Sequence, residues 1–532
     1  MQKNLILAVV LSSLVYIGWY SYIEKDLPRQ DRAAPTAAGD LGAAAREQKS
    51  AGPSAGTPAG AAPAQALMRS ARAEAARTGS KLTTAVAKAL VRITAGKADY
   101  TFLAPGAALA SLVYQDLVAP VELIPDAGSG FFATTFQSEF ALNSRTGDSV
   151  EFAADLPGGL KLYKKFELSP DNGLNSLTIT AVNSSAATQT LPAWELLLGP
   201  GLGTVKSEEK ENPGLWKAQY TYNETGRKHP TIKELKDDPA QHDCVWAGLD
   251  NRYFLAALAG GDLGKTRPYR REETIKDKKA PLLAVPFGAS ELKPGEKREW
   301  AMNFYFGPKD YQFLQKLGMG LDRSVDFGFF APLAKITNSA LTYFYGLTGN
   351  YGVAIIFISV LIQLMLTPLS FKSYKSMAIM KKLQPEMQSI QKRYKEDPKR
   401  MNQEVMDLYK RHGTNPLGGC LPMLFQIPVF FALFTALRNS WTLHGAPFIF
   451  WIKDLSAKDP YYVLPLVMGG IMFLQQYLTP QTSDPSQAKM MKWMPVIFTF
   501  MFLSFPAGLV MYWLINSIWG FAQSMYLQKK LA

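Results

Sequence analysis

Residues 351–369, YGVAIIFISVLIQLMLTPL, carry no charged side chain and run directly into a strongly basic segment. As a helix rising ~1.5 Å per residue the run measures ~28 Å, close to the ~30 Å hydrocarbon thickness of a bilayer. A chain built around it is expected to cross a membrane. Ser359, Gln363 and Thr367 are its polar residues, and their four-residue spacing sets them along one stripe of a helix. An unpaired amide is costly in hydrocarbon, so Gln363 should face other helices or trapped water rather than lipid.

The basic segment sets orientation. Residues 372–414 include Lys372, Lys375, Lys381, Lys382, Lys392, Arg393, Lys395, Lys399, Arg400, Lys410 and Arg411 against fewer acids, a bias that assigns the segment to the cytoplasm. Met377, Met380, Leu383, Met387, Ile390 and Tyr394 recur every three or four residues, as do Met401, Val405 and Leu408. Asp397-Pro398 between the two sets reads as an N-cap followed by proline at N1, so a helical hairpin is expected. Two readings stay open: a solvated coiled coil, or a docking arm for a ribosome, a targeting receptor or a nascent chain. The second would use adaptable methionines and the cations Lys381, Lys382, Lys392, Arg393, Lys399 and Arg400.

Three more apolar stretches follow. Residues 417–437, with Pro422, Gln426 and Pro428, and residues 461–478, with Pro465, Gln475 and Gln476, each read as a span. Between them lies an aromatic segment with Trp441, Phe448, Phe450 and Trp451, expected at the outer interface. Residues 493–527 would measure ~52 Å as one helix, so they must fold back, at Ser504-Phe505-Pro506-Ala507-Gly508. The two resulting spans are short, and short spans thin the surrounding bilayer.

At the other end, residues 5–23 are apolar and finish in Trp19, Tyr20 and Tyr22. The run exceeds a signal-peptide core and lacks a small-residue cleavage site, so residues 1–26 are expected to be an uncleaved anchor. Residues 27–81, rich in Ala, Gly and Pro, cannot bury enough apolar surface to order themselves and are expected to be a tether. From 82 to 320 the pattern changes to short alternating runs. Residues 161–168, the turn Ser169-Pro170-Asp171-Asn172-Gly173 and residues 177–181 read as strand, turn, strand; Trp300, Met302, Phe304 and Phe306 line one face of another strand. An antiparallel β-sandwich is expected outside the cytoplasm. Residues 321–348 hold Phe329, Phe330, Leu333, Ile336, Leu341, Phe344 and Tyr345 near helical spacing and are expected to form an interfacial amphipathic helix.

Other motifs have plainer readings. Gly199-Pro200-Gly201-Leu202-Gly203 resembles a phosphate loop, but Pro200 and the lack of a following helix favour a strand-connecting turn. His242-Asp243-Cys244 cannot all face one ion from adjacent positions, and reads as a loop entering a strand. Cys244 and Cys420 make no disulfide framework. The net charge of +13 concentrates beside the apolar runs, which explains it without nucleic acid.

The expected fold class is therefore a polytopic α-helical membrane protein of six spans, both termini cytoplasmic, with an extracytoplasmic antiparallel β-sandwich; residues 349–530 form a five-span core. The span centres lack Asp, Glu, Lys and Arg, whereas ion-coupled transport and intramembrane proteolysis need ionisable groups. The residues that can line an uncharged groove for another polypeptide are Ser359, Gln363, Gln426, Phe430, Met468, Tyr512, Trp513 and Asn516. For any single glutamine, simple helix-packing glue is the competing explanation. A solute transporter or channel is the alternative function, and a sugar-binding or sugar-modifying enzyme is suggested by the sandwich alone. No catalytic residue, metal site or cofactor is expected.

Five stretches jointly carry a resemblance: Gly349-Asn350-Tyr351-Gly352, Asn415-Pro416-Leu417-Gly418-Gly419-Cys420, Asp459-Pro460-Tyr461-Tyr462, Met494-Pro495-Val496-Ile497-Phe498 and Phe505-Pro506-Ala507-Gly508-Leu509. The core containing them resembles the YidC/Oxa/Alb family of membrane protein insertases in its Gram-negative form. The resemblance implies an ATP-independent insertase and chaperone of the bacterial inner membrane, acting on nascent membrane proteins alone or with the Sec translocon. It also implies a groove open to cytoplasm and lipid, and a periplasmic sandwich similar to sugar-processing folds but without enzymatic activity. The family's groove carries an arginine in its first core span; counted from Gly349-Asn350, that position is Gln363 here.

Overall fold

The computed structural model describes residues 90–116, 118–125, 130–136, 138–227, 229–275, 277–414, 421–478 and 485–531. The expected anchor and tether, Cys420 and the start of the second core span lie outside the described residues. The chain divides into two compact units, residues 309–315 with 322–532, and residues 2–308 with 316–321.

The N-terminal unit is mostly β-sheet. A nine-stranded antiparallel sheet runs in the order Thr231–Glu234, Lys217–Tyr222, Cys244–Asp250, Phe254–Ala259, Lys297–Pro308, Asn175–Asn183, Leu160–Glu167, Ser149–Leu156 and Ala141–Arg145. Smaller sheets join Leu90–Ala95, Ala98–Leu103, Ala108–Tyr114 and Val121–Glu122, and Trp194–Leu198, Lys278–Phe287 and Tyr269–Ile275. The period-two alternation read from the sequence sets the register: Trp300, Met302, Phe304 and Phe306 are all buried. Phe102 of one sheet lies 4.7 Å from Phe166 of the large sheet, and Phe132 lies 4.7 Å from Phe304. Trp194 and Phe287 stack at 4.2 Å, with Trp300 edge-on to Trp194 at 5.4 Å.

The same alternation buries a cation. Leu160, Leu162, Lys164 and Phe166 share the inward face of their strand, and Lys164 is fully buried. Its Nζ donates to the Phe132 carbonyl and lies 5.6 Å from the centre of the Phe166 ring and 5.9 Å from that of Phe140. Burial pushes its ammonium pKa down to about 7, and among the described residues no carboxylate is paired with it.

The glycine loop at 199–203 follows strand Trp194–Leu198 and enters a 3-10 turn at Lys206–Glu208. A Cβ on Gly203 would stand 2.0 Å from the Glu122 carbonyl oxygen, so this glycine permits close approach of two backbones. Of the other tripeptide, Asp243 pairs with Arg267 at 2.9 Å, and Cys244, free and buried, opens a strand.

The C-terminal unit is helical: α1 (Tyr311–Leu317), α2 (Ala331–Thr348), α3 (Tyr351–Lys382), α4 (Gln384–Arg393), α5 (Pro398–Arg411), α6 (Leu421–Arg438), α7 (Val463–Leu478), α8 (Pro485–Phe502) and α9 (Ala507–Leu531). Two boundaries correct the sequence reading. The interfacial helix starts only at Ala331, because Asp326 accepts from the Gly328 amide and Gly328 sits at φ +66°, whereas Pro332 suits a first helical turn. The hairpin's first arm is not separate: α3 continues as one helix to Lys382 and breaks before Pro385. Pro368 lies inside it, and the neighbouring Thr367 and Ser370 hydroxyls bind back to the Gln363 and Leu366 carbonyls. The last apolar stretch does break at 503–506, between α8 and α9.

Among the described residues only α3 is both long and apolar enough to cross a membrane by itself; residues Leu424–Arg438, Val463–Tyr477 and Lys492–Phe502 are shorter apolar helices. The surface of this unit is inverted relative to a water-soluble protein: Met365, Leu466, Tyr477, Ile497 and Phe500 are exposed, while Gln363, Ser517 and Gln523 are buried.

One end of the bundle is tied together by backbone. Asn350 caps α3, accepting from the Gly352 amide at 2.8 Å while its Nδ2 donates to the Phe448 carbonyl at 3.1 Å. Asp459 is 1% exposed; it accepts from Trp451 Nε1 at 3.0 Å and from the Tyr461 and Leu464 amides at 3.0 and 2.7 Å, fixing the start of α7. The Ala507 and Gly508 amides donate to the Ala457 and Leu455 carbonyls at 2.7 and 3.0 Å. The loop at 439–462 thus joins the starts of α3, α7 and α9.

Candidate functional site

The polar stripe of α3 meets a matching stripe on α9. Gln363 is buried, and its Nε2 donates to Asn516 Oδ1 at 2.8 Å. One turn along, Thr367 Oγ1 accepts from Gln523 Nε2 at 2.9 Å and from Trp519 Nε1 at 3.3 Å. Further on, Ser524 Oγ donates to Tyr374 Oη at 3.1 Å, and that hydroxyl donates to the Gly520 carbonyl at 3.3 Å. Spacings of three and four residues on both helices turn these groups toward one seam.

A third helix enters through Gln426 of α6, whose Nε2 donates to the hydroxyl of the fully buried Tyr512. Tyr512 and Asn516 lie one turn apart on α9, so the two amides, Gln363 and Gln426, converge on its face. Beside them Trp513 is ringed by Phe430 at 5.1 Å, Phe498 at 5.7 Å and Phe502 at 5.3 Å. Met468 is fully buried.

The structure therefore brings together Gln363, Gln426, Tyr512 and Asn516, with Phe430 and Trp513 as an aromatic neighbour. Ser359 departs from the expectation: it is fully buried and its hydroxyl donates to its own Ile355 carbonyl at 2.6 Å, which leaves its donor engaged by its own helix. Trp519, Gln523, Tyr374 and Ser524 were missed. The usable signal was the spacing of Tyr512, Asn516, Trp519 and Gln523 along α9. Asn516 also interacts with the Tyr512 hydroxyl one turn away on α9.

The cluster is uncharged. Its amides and hydroxyls both give and accept hydrogen bonds, so it can exchange partners with polar groups of another chain but offers no nucleophile–base pair. Among the described residues no group of His, Cys, Asp and Glu could hold a metal.

The hairpin holds its own small core. Leu383, Met387, Val405, Leu408 and Tyr409 are buried together, and Tyr409 Oη donates to Met387 Sδ at 2.9 Å. Asp397 accepts from the Arg400 amide at 3.0 Å, capping α5 with Pro398 in its first turn. Lys382, Lys392, Arg393, Lys399 and Arg400 are exposed, while the Lys381 side chain lies outside the description.

Comparison with known proteins bears on this arrangement. The family model described as "60Kd inner membrane protein" matches residues 343–532, and that described as "YidC periplasmic domain" matches residues 109–337. The membrane protein insertase YidC of Endomicrobium trichonymphae is 44% identical over 400 residues, 73% of this chain and 75% of that protein. Its counterpart in Geobacter sulfurreducens is 41% identical over 384 residues, 71% of this chain and 70% of the other. A solved structure titled as an active YidC insertase with its first transmembrane domain resolved aligns over 82% of this chain and 92% of its own, at 18% identity and a TM-score of 0.37. The chain belongs to the YidC family of membrane protein insertases, and is a membrane-embedded insertase with a periplasmic domain that is mostly β-sheet.

Proposed function

We propose that insertion runs through the polar seam between α3, α6 and α9, which opens to shelter hydrophilic parts of a nascent membrane protein while its apolar segment meets lipid. The observation that carries this is a buried, charge-free hydrogen-bonding cluster, Gln363–Asn516 and Gln426–Tyr512, inside helices whose outer faces are apolar. Each hydrogen bond in the seam has a polar replacement in a passing client, so opening costs little once a client is present.

In this reading the core contributes five spans and the N-terminal run a sixth, with both termini in the cytoplasm. The basic hairpin then lies on the cytoplasmic side, where its exposed cations can meet a ribosome, a targeting receptor or the Sec translocon. Insertion needs no nucleotide and the β-sheet domain is not an enzyme; the naming of the relatives as insertases supports this.

Site-specific photocrosslinkers at Ser359, Gln363, Phe430 and Tyr512 test the seam against a stalled nascent chain. Crosslinks from these positions support it, and crosslinks from surface controls alone defeat it.

A further inference from the structure

We propose that the loop at 439–462 carries a site for anionic phospholipid. Ile449, Phe450 and Tyr461 enter the acyl boundary at the membrane surface where α3 starts, and Lys453 and Lys458 hold the phosphate of a headgroup that has no compensating cation. The loop stands at this surface whether or not a client passes through the seam, so the site is independent of that reading.

The aromatic residues of the loop divide by direction. Phe448 packs on Gly352, where a Cβ would stand 2.0 Å from its ring, and Trp451 is held by Asp459 at 3.0 Å. Phe450 is 81% and Tyr461 69% exposed, and Ile449 is exposed as well. Backbone geometry enforces that division. The Phe448 amide donates to the Ile452 carbonyl at 2.9 Å and the Ile452 amide to the Ile449 carbonyl at 3.1 Å, closing a tight turn around residues 449–451. Phe450 and Tyr462 take left-handed φ angles of +53° and +57°, which bulky residues adopt only where their surroundings impose them. A fixed turn that presents Phe450 outward is unfavourable against water and favourable against acyl chains.

Charge then selects the lipid. Both carboxylates of the loop are engaged within the protein: Asp459 with Trp451 and two backbone amides, and Asp454 with the Ser456 amide and hydroxyl at 2.8 and 2.7 Å, His444 Nδ1 lying 3.8 Å from it. Lys453 and Lys458 are exposed, and among the described residues neither is paired with a carboxylate; Lys458 Nζ stands 5.9 Å from the centre of the Tyr462 ring. Lys453 follows Phe450 by three residues, at most ~11 Å of chain, so an aromatic ring at acyl depth and an ammonium at phosphate depth can be reached from one loop. Two such ammoniums above an apolar tip match phosphatidylglycerol better than zwitterionic phosphatidylcholine, whose own cation competes for the phosphate.

The test uses the natural full chain in phosphatidylcholine nanodiscs that contain a trace of photoactivatable phosphatidylglycerol or, separately, photoactivatable phosphatidylcholine, each reactive near the top of its acyl chain. Mass spectrometry locates the labelled residues. Residues 449–462 should be labelled about five-fold more by the phosphatidylglycerol probe, whereas residues 496–501 of α8, where Ile497 and Phe500 are exposed, should show no preference. Lys453→Gln combined with Lys458→Gln should equalise the two probes at 449–462, and arginine at both positions should keep the preference. Phe450→Asn, chosen because asparagine tolerates a left-handed φ, should lower labelling of the loop by both probes several-fold. Equal labelling of 449–462 by both probes in the natural chain overturns the headgroup site, and no labelling there while 496–501 is labelled overturns insertion of the tip; neither comparison needs a variant to fold. A preference that survives loss of both lysines, in a variant that unfolds at the same temperature as the natural chain in phosphatidylcholine alone, overturns their role.

Discussion

Replacing Lys164 by methionine should remove a pH dependence from the β-sheet domain. The lysine is fully buried among Phe132, Phe140 and Phe166, and burial pushes its pKa from the ordinary 10.5 down to about 7. Because the folded value is the depressed one, the folded state binds fewer protons than the unfolded state between these limits. Stability from this group is therefore fully present above pH 10.5 and is lost as pH falls through 7. At ~1.4 kcal/mol per unit, raising the pH from 6 to 9.5 should add about 3 kcal/mol to the natural domain through Lys164. Methionine fills similar volume without a charge, so Lys164→Met should lose that slope while folding at least as well at pH 6. Urea pulse proteolysis of the detergent-solubilised chain, following the β-sheet fragment at both pH values, measures the difference. The same pH slope in both proteins would refute the assignment.

Other substitutions probe the membrane unit. Asp459→Ala strands Trp451 Nε1 and two backbone amides, each worth roughly 1–3 kcal/mol, so Tm should fall by many degrees; a thermal shift matching that of an exposed-loop control would count against the cap. Gln426→Leu leaves the buried Tyr512 hydroxyl without its amide donor and should cost about 1–3 kcal/mol while slowing insertion, whereas unchanged insertion kinetics would argue for packing alone. A Cβ on Gly352 would stand 2.0 Å from Phe448 Cδ2, so Gly352→Ala should destabilise by about 1–3 kcal/mol; a Tm equal to the natural chain would show that the loop yields freely. Deleting residues 88–309 should largely spare complementation of insertase depletion, and complete loss of growth despite normal accumulation would assign the β-sheet domain an essential part.

Local pattern was readable where chemistry and neighbours agree. Alternation at 161–168 and around Trp300 announced strands because each has one buried face. Asp397-Pro398 announced a helix start, which the Arg400 amide confirms. Helix limits were harder to read. Residues 372–382 read as the start of the hairpin, yet they continue α3 without a break.

At the site, residue types were legible and partners were not. Periodicity put Gln363 on a stripe and charge counting left the spans neutral, since both depend only on neighbours along the chain. That Gln363 meets Asn516, 153 residues away, and that Ser359 turns back on its own helix, depend on how α3 and α9 are packed side by side. The sequence alone thus determined that this chain enters a membrane and carries an uncharged polar stripe. Tertiary structure decided which groups face which, because a buried amide is satisfied by whatever stands across from it, and periodicity does not specify that neighbour.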